Sequence, residues 1–461
     1  MFAPAFLAFA VAAPTAYGSP AMEPYPNALQ DSPAQKLSAP GFGTKLRGKA
    51  LIDDLSKRAF QYFWNETPAD TGYTRDRGPN YDGPRNNGEI SSIAAIGYAL
   101  SAYAIGAERG WVSKEEAKRR TILTLKNIPK IEGHMGWYYH FINIKTGKRE
   151  WNCELSSIDS GLMFLGIVFA EAAWKDPEIT KLSMDILGKV NWEWFMTDGM
   201  KKQNSLTISM GWSPTNGFLD ARWDGYYEQM AFYIVGMGVD GMPANSWAAF
   251  KRGPRYVYKD IEILHGAALF IHQMSQAYID FKGKRDYLGY DYWVSGRNMT
   301  LANRLYCIDN PQKFKGYGPD IWGLSACDIP GGYGAPGAPG AIWDNGTLAP
   351  AAAVASIMYT PDLSMRAADA FVTQYPGSYG RYGFTTGMSP HEDWRSPDVI
   401  GIDIGQMMLA IENWRDGYAW RVMNSSKIIQ RGMAKAGLRK TSEGPVEGRK
   451  LHVPPVPIPP K

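Results

Sequence analysis

The chain has 461 residues, 45% of them apolar, which is enough to bury a sizeable core. Its net charge of +4 comes from 49 basic and 45 acidic residues. These are interspersed along the sequence, and no Lys/Arg block of the kind that binds nucleic acid occurs. The three cysteines Cys153, Cys307 and Cys327 do not make a disulfide scaffold. With no CxxC pair and no HExxH, neither a metal nor a cofactor is expected.

Residues 1–20 form an apolar leader ending in small residues, as in a secretory signal, although no Lys or Arg precedes Lys36. A periplasmic or secreted location is expected. Residues 21–46, rich in Pro, Ser and Gly, read as an irregular lead-in. Residues 439–461 end in a proline-rich tail. No stretch beyond the leader reads as long and apolar enough to span a membrane.

Between them, residues 47–438 read as helix after helix in one catalytic domain. Residues 53–64 place Leu55, Ala59, Phe60 and Phe63 at helical spacing. Residues 91–108 are small or apolar nearly all round, which predicts an inner helix. Residues 113–128 open with Ser113, Glu115 and Glu116 and carry many charges, which predicts a capped outer helix. The alternation continues through 156–174, 176–197, 226–238, 264–281, 287–307, 348–359, 361–374, 401–414 and 419–436. Apolar and amphipathic segments taking turns predict an all-α fold, an (α/α)6 barrel of two concentric helix rings. Short β-hairpin loops are expected at 133–151 and 205–219, and a long Gly/Pro-rich loop at 316–347 is of the kind that carries function. Within it, Gly332 to Gly337 matches GxGxxG in form, but Pro336 interrupts it and no strand precedes it, so a dinucleotide is not expected.

The 16 Trp and 26 Tyr are enough for some to line a sugar cleft. A pyranose has apolar C–H faces for aromatic rings to stack on and a polar rim for carboxylates and Arg to bond. Glycoside cleavage needs a carboxylic acid to protonate the leaving oxygen and usually a second carboxylate. The acid has to be buried enough for its pKa to rise. Acids set against apolar helices are therefore the candidates. Glu154 and Asp159 open the apolar run at 156–174, and Glu228 heads the one at 226–238. Asp76, flanked by Arg75 and Arg77, suits sugar binding better than proton transfer. Glu412 ends an apolar helix next to Arg415 and is weaker.

Ordered stretches along residues 48–437 resemble one family. They include Phe60-Gln-Tyr-Phe-Trp64, Gly106-Ala-Glu-Arg-Gly-Trp111, Tyr139-His-Phe141 and Glu154-Leu-Ser-Ser-Ile-Asp159. They continue with Trp223-Asp-Gly-Tyr-Tyr-Glu228, Ile271-His-Gln-Met-Ser275, Trp322-Gly-Leu-Ser-Ala326 and Ile411-Glu-Asn413. The chain is similar to the glucoamylase-like domain that includes glycoside hydrolase family 144, the bacterial β-1,2-glucanases. The resemblance implies the same barrel, a glucan substrate and no metal. It places Glu154, Asp159 and Glu228 in the cleft. It departs at Ser160, where Thr is usual, and at Tyr227, where Asn is common. The resulting expectation is a monomeric glycoside hydrolase acting on an oligo- or polysaccharide. Glu228 is the general acid, and Glu154 or Asp159 activates water. Asp76, Arg77, His140, Trp212, Trp322 and Trp394 are the expected sugar contacts. Two alternatives stand beside it: a polysaccharide lyase using Tyr138, Tyr139 and His140, and a glycan-binding protein without catalysis.

Overall fold

The computed structural model describes residues 35–83, 88–264, 266, 268–340 and 342–441. The leader at 1–20, the lead-in as far as 34 and the tail from 442 lie outside the described residues. The helices, in chain order, are α1 (Gly48–Asn65), α2 (Ile93–Glu108), α3 (Lys114–Asn127), α4 (Ser157–Trp174) and α5 (Pro177–Leu187). Then come α6 (Trp192–Met196), α7 (Met230–Gly238), α8 (Ser246–Ala249), α9 (Phe270–Tyr278) and α10 (Tyr292–Asp309). The series ends with α11 (Pro350–Ala355), α12 (Pro361–Gln374), α13 (Gly401–Asp416), α14 (Tyr418–Ser425) and α15 (Lys427–Lys435). Strands among the described residues are short and form sheets of two or three, so helices carry the fold.

Two kinds of helix alternate. In α7 and α11 every residue is buried, as is the run from Ile93 to Gly106 in α2. By contrast, α1, α3 and α12 bury one face. The buried helices pack on one another: α2 on α4, α4 on α7, α7 on α9, α9 on α13, α13 on α2, and α11 on α13. The amphipathic ones lie outside them, α1 on α2 and α13, α3 on α2, α10 on α9, and α12 on α11 and α1. Glycine sets the closest of these approaches. A Cβ at Gly166 of α4 would stand 2.0 Å from the Gly97 carbonyl oxygen of α2, so only glycine lets the two backbones touch.

Helix α4 is, by length and composition, long and apolar enough to cross a membrane, which corrects the sequence expectation. Here 78% of it is buried inside the protein, where its apolar surface is covered by α2, α5, α7 and α14.

Boundaries moved where side chains compete for the backbone. The segment at 176–197 divides because Gly188 ends α5 and the Asn191 side chain accepts from Trp194 N to start α6. The segment at 419–436 divides at Ser426. Helix α7 begins four residues later than expected, at Met230. The Gln229 side chain holds the preceding turn by accepting from Tyr227 N and donating to Gly225 O. Glu228 therefore stands in a turn ahead of the helix. Within the lead-in, Gln35–Lys36 pairs with Trp394–Arg395, and Leu37 is buried. Arg439–Lys440, expected in the tail, pairs with Lys284–Arg285. Both partners are remote in sequence, so local composition could not reveal them.

Short strand pairs stand at the heads of the buried helices. Ile90–Ser92 leads into α2 and pairs with Phe141–Asn143; Leu155–Ser156 leads into α4 and pairs with Gly211–Ser213. Asp398–Ile400 leads into α13 and pairs with Arg77–Pro79. The loop expected at 133–151 thus divides its strands between a local pair, Gly133–His134 with Trp137–Tyr138, and the strand ahead of α2.

Candidate active site

One cavity opens where the buried helices begin. Its lining includes Ser92 ahead of α2, Ser156 ahead of α4 and Asp159 within it, Glu228 ahead of α7, and Phe270 and Met274 of α9. Ala351 and Ala352 of α11 and Ile402, Asp403 and Gln406 of α13 line it too. Asp76, Arg77, His140 and Glu154 line it as well. Six of the nine expected site residues are thereby brought together from four separate parts of the chain.

Glu228 is 6% exposed, and its Oε2 has no hydrogen-bond partner among the described residues. Burial, reinforced by the charge of Asp159, pushes its carboxyl up to about 7. The turn that carries it is pinned to α9 by Ser275 Oγ, which donates to the Glu228 carbonyl at 2.6 Å.

Glu154 and Asp159 meet across a histidine. His140 Nδ1 lies 3.1 Å from Glu154 Oε1 and its Nε2 lies 3.4 Å from Asp159 Oδ2. Burial of the imidazole favours its neutral form, but Asp159, Glu154 and Asp76 outweigh it and push the ring up to about 9. His140 is then a cation near neutral pH, set between two carboxylates. It was expected as a sugar contact; its two ring nitrogens face acids instead. Asp159 also joins the helix cap: Ser156 Oγ accepts from Asp159 N and donates to Asp159 Oδ2. Burial raises the Asp159 carboxyl, while His140 and Ser156 pull it back.

Arg77 is equally committed. It donates to Asp328 at 3.1 and 3.4 Å and lies 3.5 Å from both Asp76 and Asp398. Burial raises Asp76 against the pull of Arg77 and His140. Asp398 rises to about 6 by burial.

The three expected tryptophan contacts are corrected: none lines the cavity. In the strand Gly211–Ser213, Gly211 faces Glu154, so alternation throws the Trp212 ring to the other face, where it stacks on His134 at 5.2 Å. Trp394 lies in the strand covered by Gln35–Lys36. Trp322 is fully buried and belongs to the core. Accordingly Trp322→Ala is expected to cost about 3–5 kcal/mol through the void it leaves, seen as an earlier urea midpoint. A Michaelis constant moved without loss of stability would return Trp322 to the site. Glu412 is buried among Ser56, Arg109 and Arg415 at the far end of α13, a structural ion pair. Tyr138 and Tyr139 are buried and do not line the cavity, which removes two of the residues a lyase would have used.

Sequence reasoning missed Asp403, Tyr333, Phe141, Trp151 and Gln406, all of which line the cavity. Asp403 carries the same signal that marked Asp159, an acid in the first turn of an apolar helix. Burial, with Asp328 and Asp76 adding to it, pushes it up to about 7 although Thr386 Oγ1 donates to it. Gln406 is fixed by its amide, which donates to Gln273 Oε1 at 2.7 Å. Tyr333 comes from the long loop at 316–347, in the strand Gly332–Gly334 paired with Cys327–Ile329. Among the described residues no cluster of His, Cys, Asp and Glu is arranged to hold a metal ion.

The Glycoamylase family model, described as "Putative glucoamylase", matches residues 220–427, which include Glu228, Asp328 and Asp403. A curated relative, the exo β-1,2-glucooligosaccharide sophorohydrolase (non-reducing end) of Parabacteroides distasonis, is 26% identical over 449 residues. The match takes in 88% of this chain, and the chain spans 60% of that relative's length. Among solved structures, the endo-β-1,2-glucanase of Chitinophaga pinensis, in complex with sophorotriose and glucose, has a TM-score of 0.78 at 25% identity. That likeness covers 86% of this chain and 99% of the other. The β-1,2-glucanase of Parabacteroides distasonis, at 24% identity and a TM-score of 0.77, shares the fold over 85% of this chain and 60% of its own. The helix arrangement and these likenesses give this chain the fold of the endo-β-1,2-glucanase of Chitinophaga pinensis and, over residues 220–427, a match to the glucoamylase model.

Proposed function

We propose that the protein hydrolyses β-1,2-glucan by carboxylate general acid/base catalysis. The observation that carries this reading is Glu228, a buried carboxyl with an unpartnered oxygen in a cavity otherwise crowded with paired acids. A carboxyl raised to about 7 keeps its proton near neutral pH and can give it to the glycosidic oxygen as the bond to the anomeric carbon breaks. Water attacks that carbon, and a carboxylate of the Glu154–His140–Asp159 cluster takes the proton released. The charge of His140 opposes the burial of the Asp159 carboxyl and favours its ionised form, the form a base needs. Asp76, Asp403 and Gln406 face the cavity with polar groups for sugar hydroxyls. The names of the relatives supply the β-1,2 linkage.

The architecture that serves this chemistry is read as an (α/α)6 barrel. In this reading α2, α4, α7, α9, α11 and α13 are the inner ring, which is supported by residues at or just ahead of their N-terminal ends lining the cavity. The enzyme is proposed to act as a monomer, in the periplasm or outside the cell, the latter from the composition of residues 1–20.

Reducing ends and product sizes on β-1,2-, β-1,3-, β-1,4- and α-1,4-glucans test the reading. Cleavage of the β-1,2-glucan ahead of the others is expected. Cleavage of a different glucan alone removes the linkage. An ultraviolet-absorbing unsaturated product, or binding without any cleavage, removes the hydrolase.

A further inference from the structure

Aromatic rings run in a chain along one wall of the cavity. The His140 ring stacks on Phe141 with centroids 3.9 Å apart and planes 15° apart, and Phe141 meets Trp151 at 5.0 Å. All three line the cavity, and both Phe141 and Trp151 are partly exposed. Because His140 touches Glu154 and Asp159, this chain starts at the carboxylate cluster and leads away from it.

The backbone takes an uncommon course to put Trp151 there. Trp151 and Asn152 have φ of 53° and 51°, two successive left-handed residues, neither of them glycine. A bulky side chain in that region is rare and persists where neighbours hold it. Here they do. Arg149 Nε donates to Cys153 O at 2.6 Å and its Nη2 donates to Asn152 O. Glu150 N donates to Phe141 O at 3.0 Å, and Asn143 Nδ2 donates to the Glu150 side chain at 3.0 Å. Arg149 is itself seated over the Tyr139 ring. Glycine would fit these torsions without strain, yet the position carries the largest side chain, turned to the cavity.

We infer that Trp151, backed by Phe141, is a stacking platform for a pyranose ring of the substrate, in the sugar position beside the Glu154–His140–Asp159 cluster. The inference rests on the glucan reading above. A flat aromatic ring meets the C–H face of the sugar, and the neighbouring Asp76 and Glu154 are at hand for its hydroxyls. Such a platform holds the ground state and the transition state alike, so it acts on substrate affinity more than on the chemical step.

The test pairs kinetics with direct binding. On long β-1,2-glucan, Trp151→Ala is expected to raise KM about tenfold, with kcat held within about twofold. Trp151→Phe should recover most of the affinity, and Trp212→Ala, outside the cavity, should leave KM as it is. Calorimetric titration of β-1,2-glucooligosaccharides into Glu228→Gln, with and without Trp151→Ala, should show the same tenfold loss without turnover. A KM and a binding constant within about twofold of the parent overturn the platform. So does a loss of affinity that follows a matching fall in melting temperature, and so does a Glu228→Gln protein that binds none of these sugars. If the parent cuts no glucan while its binding still depends on Trp151, the hydrolase reading fails and the platform stands.

Discussion

Glu228→Gln is expected to lower kcat by about 10²- to 10⁴-fold, the contribution of a positioned general acid, while making the protein more stable in alkali. Both effects come from the burial of one carboxyl. In the fold it stays neutral until the pH nears 7, whereas its ordinary value is 4.5. A group whose folded pKa is raised contributes stability that is complete below the unfolded pKa and lost as pH rises through the folded one. Wild type should therefore weaken between pH 4.5 and pH 7 relative to the Gln variant, which has no proton to lose. The span of that shift corresponds to about 3 kcal/mol, as an order of magnitude. Urea midpoints for the two proteins should be close at pH 4.5 and separate by pH 8, with the variant ahead. Activity of the wild type should fall on its alkaline limb near pH 7, where Glu228 loses the proton it donates. A gap in stability that stays constant across that range would mean Glu228 is not buried as a neutral acid. Full turnover by the folded variant would remove it from the chemistry.

Arg77→Met carries the other large expectation. The guanidinium is the shared partner of Asp76, Asp328 and Asp398, and all four side chains are at least largely buried. Removing it leaves buried carboxylates without their cation, at a cost of about 3–5 kcal/mol. The loss should depend on pH in one direction. Asp76 and Asp398 already stand above the ordinary carboxylate range, and without Arg77 they rise further. Protonation relieves their repulsion, so the variant should be most stable below the ordinary carboxylate value of 3.8 and lose stability from there through pH 6 and above, as the raised carboxyls ionise. Ser396 Oγ, which donates to Asp328 at 2.6 Å, remains as a neutral partner and cannot replace the charge. Chemical denaturation at pH 5 and pH 8 measures this. A variant as stable as wild type at both values, with a raised KM, would make Arg77 a sugar contact as first expected.

The positions of the helices were largely legible because burial on all sides or on one side leaves a mark in the residue pattern. The run at 361–374 matches α12 at both ends, and 401–414 matches the start of α13. The acids Glu154, Asp159 and Glu228 were legible for the same reason: a charge beside an uninterrupted apolar run has to be satisfied by something unusual. Asp403, in the first turn of α13, offers the identical signal. The tryptophans misled, since a large ring serves a core as well as a sugar cleft, and which it does depends on the face it occupies. Trp322 is in the core, Trp212 is turned away by strand alternation, and Trp151 was hidden in a hairpin whose strands pair elsewhere.

By itself, then, the sequence determined a helical chain with alternating buried and amphipathic segments and acids at the heads of the buried ones, since local periodicity and local charge are carried by neighbouring residues. Tertiary structure alone decided which acids meet. The pairing of Arg77–Pro79 with Asp398–Ile400 sets Arg77 among Asp76, Asp328 and Asp398, and the strand ahead of α2 brings His140 between Glu154 and Asp159. Those contacts join residues far apart along the chain. The proton-holding state of Glu228 follows from them too, because it depends on how completely the assembled fold excludes water from one carboxyl.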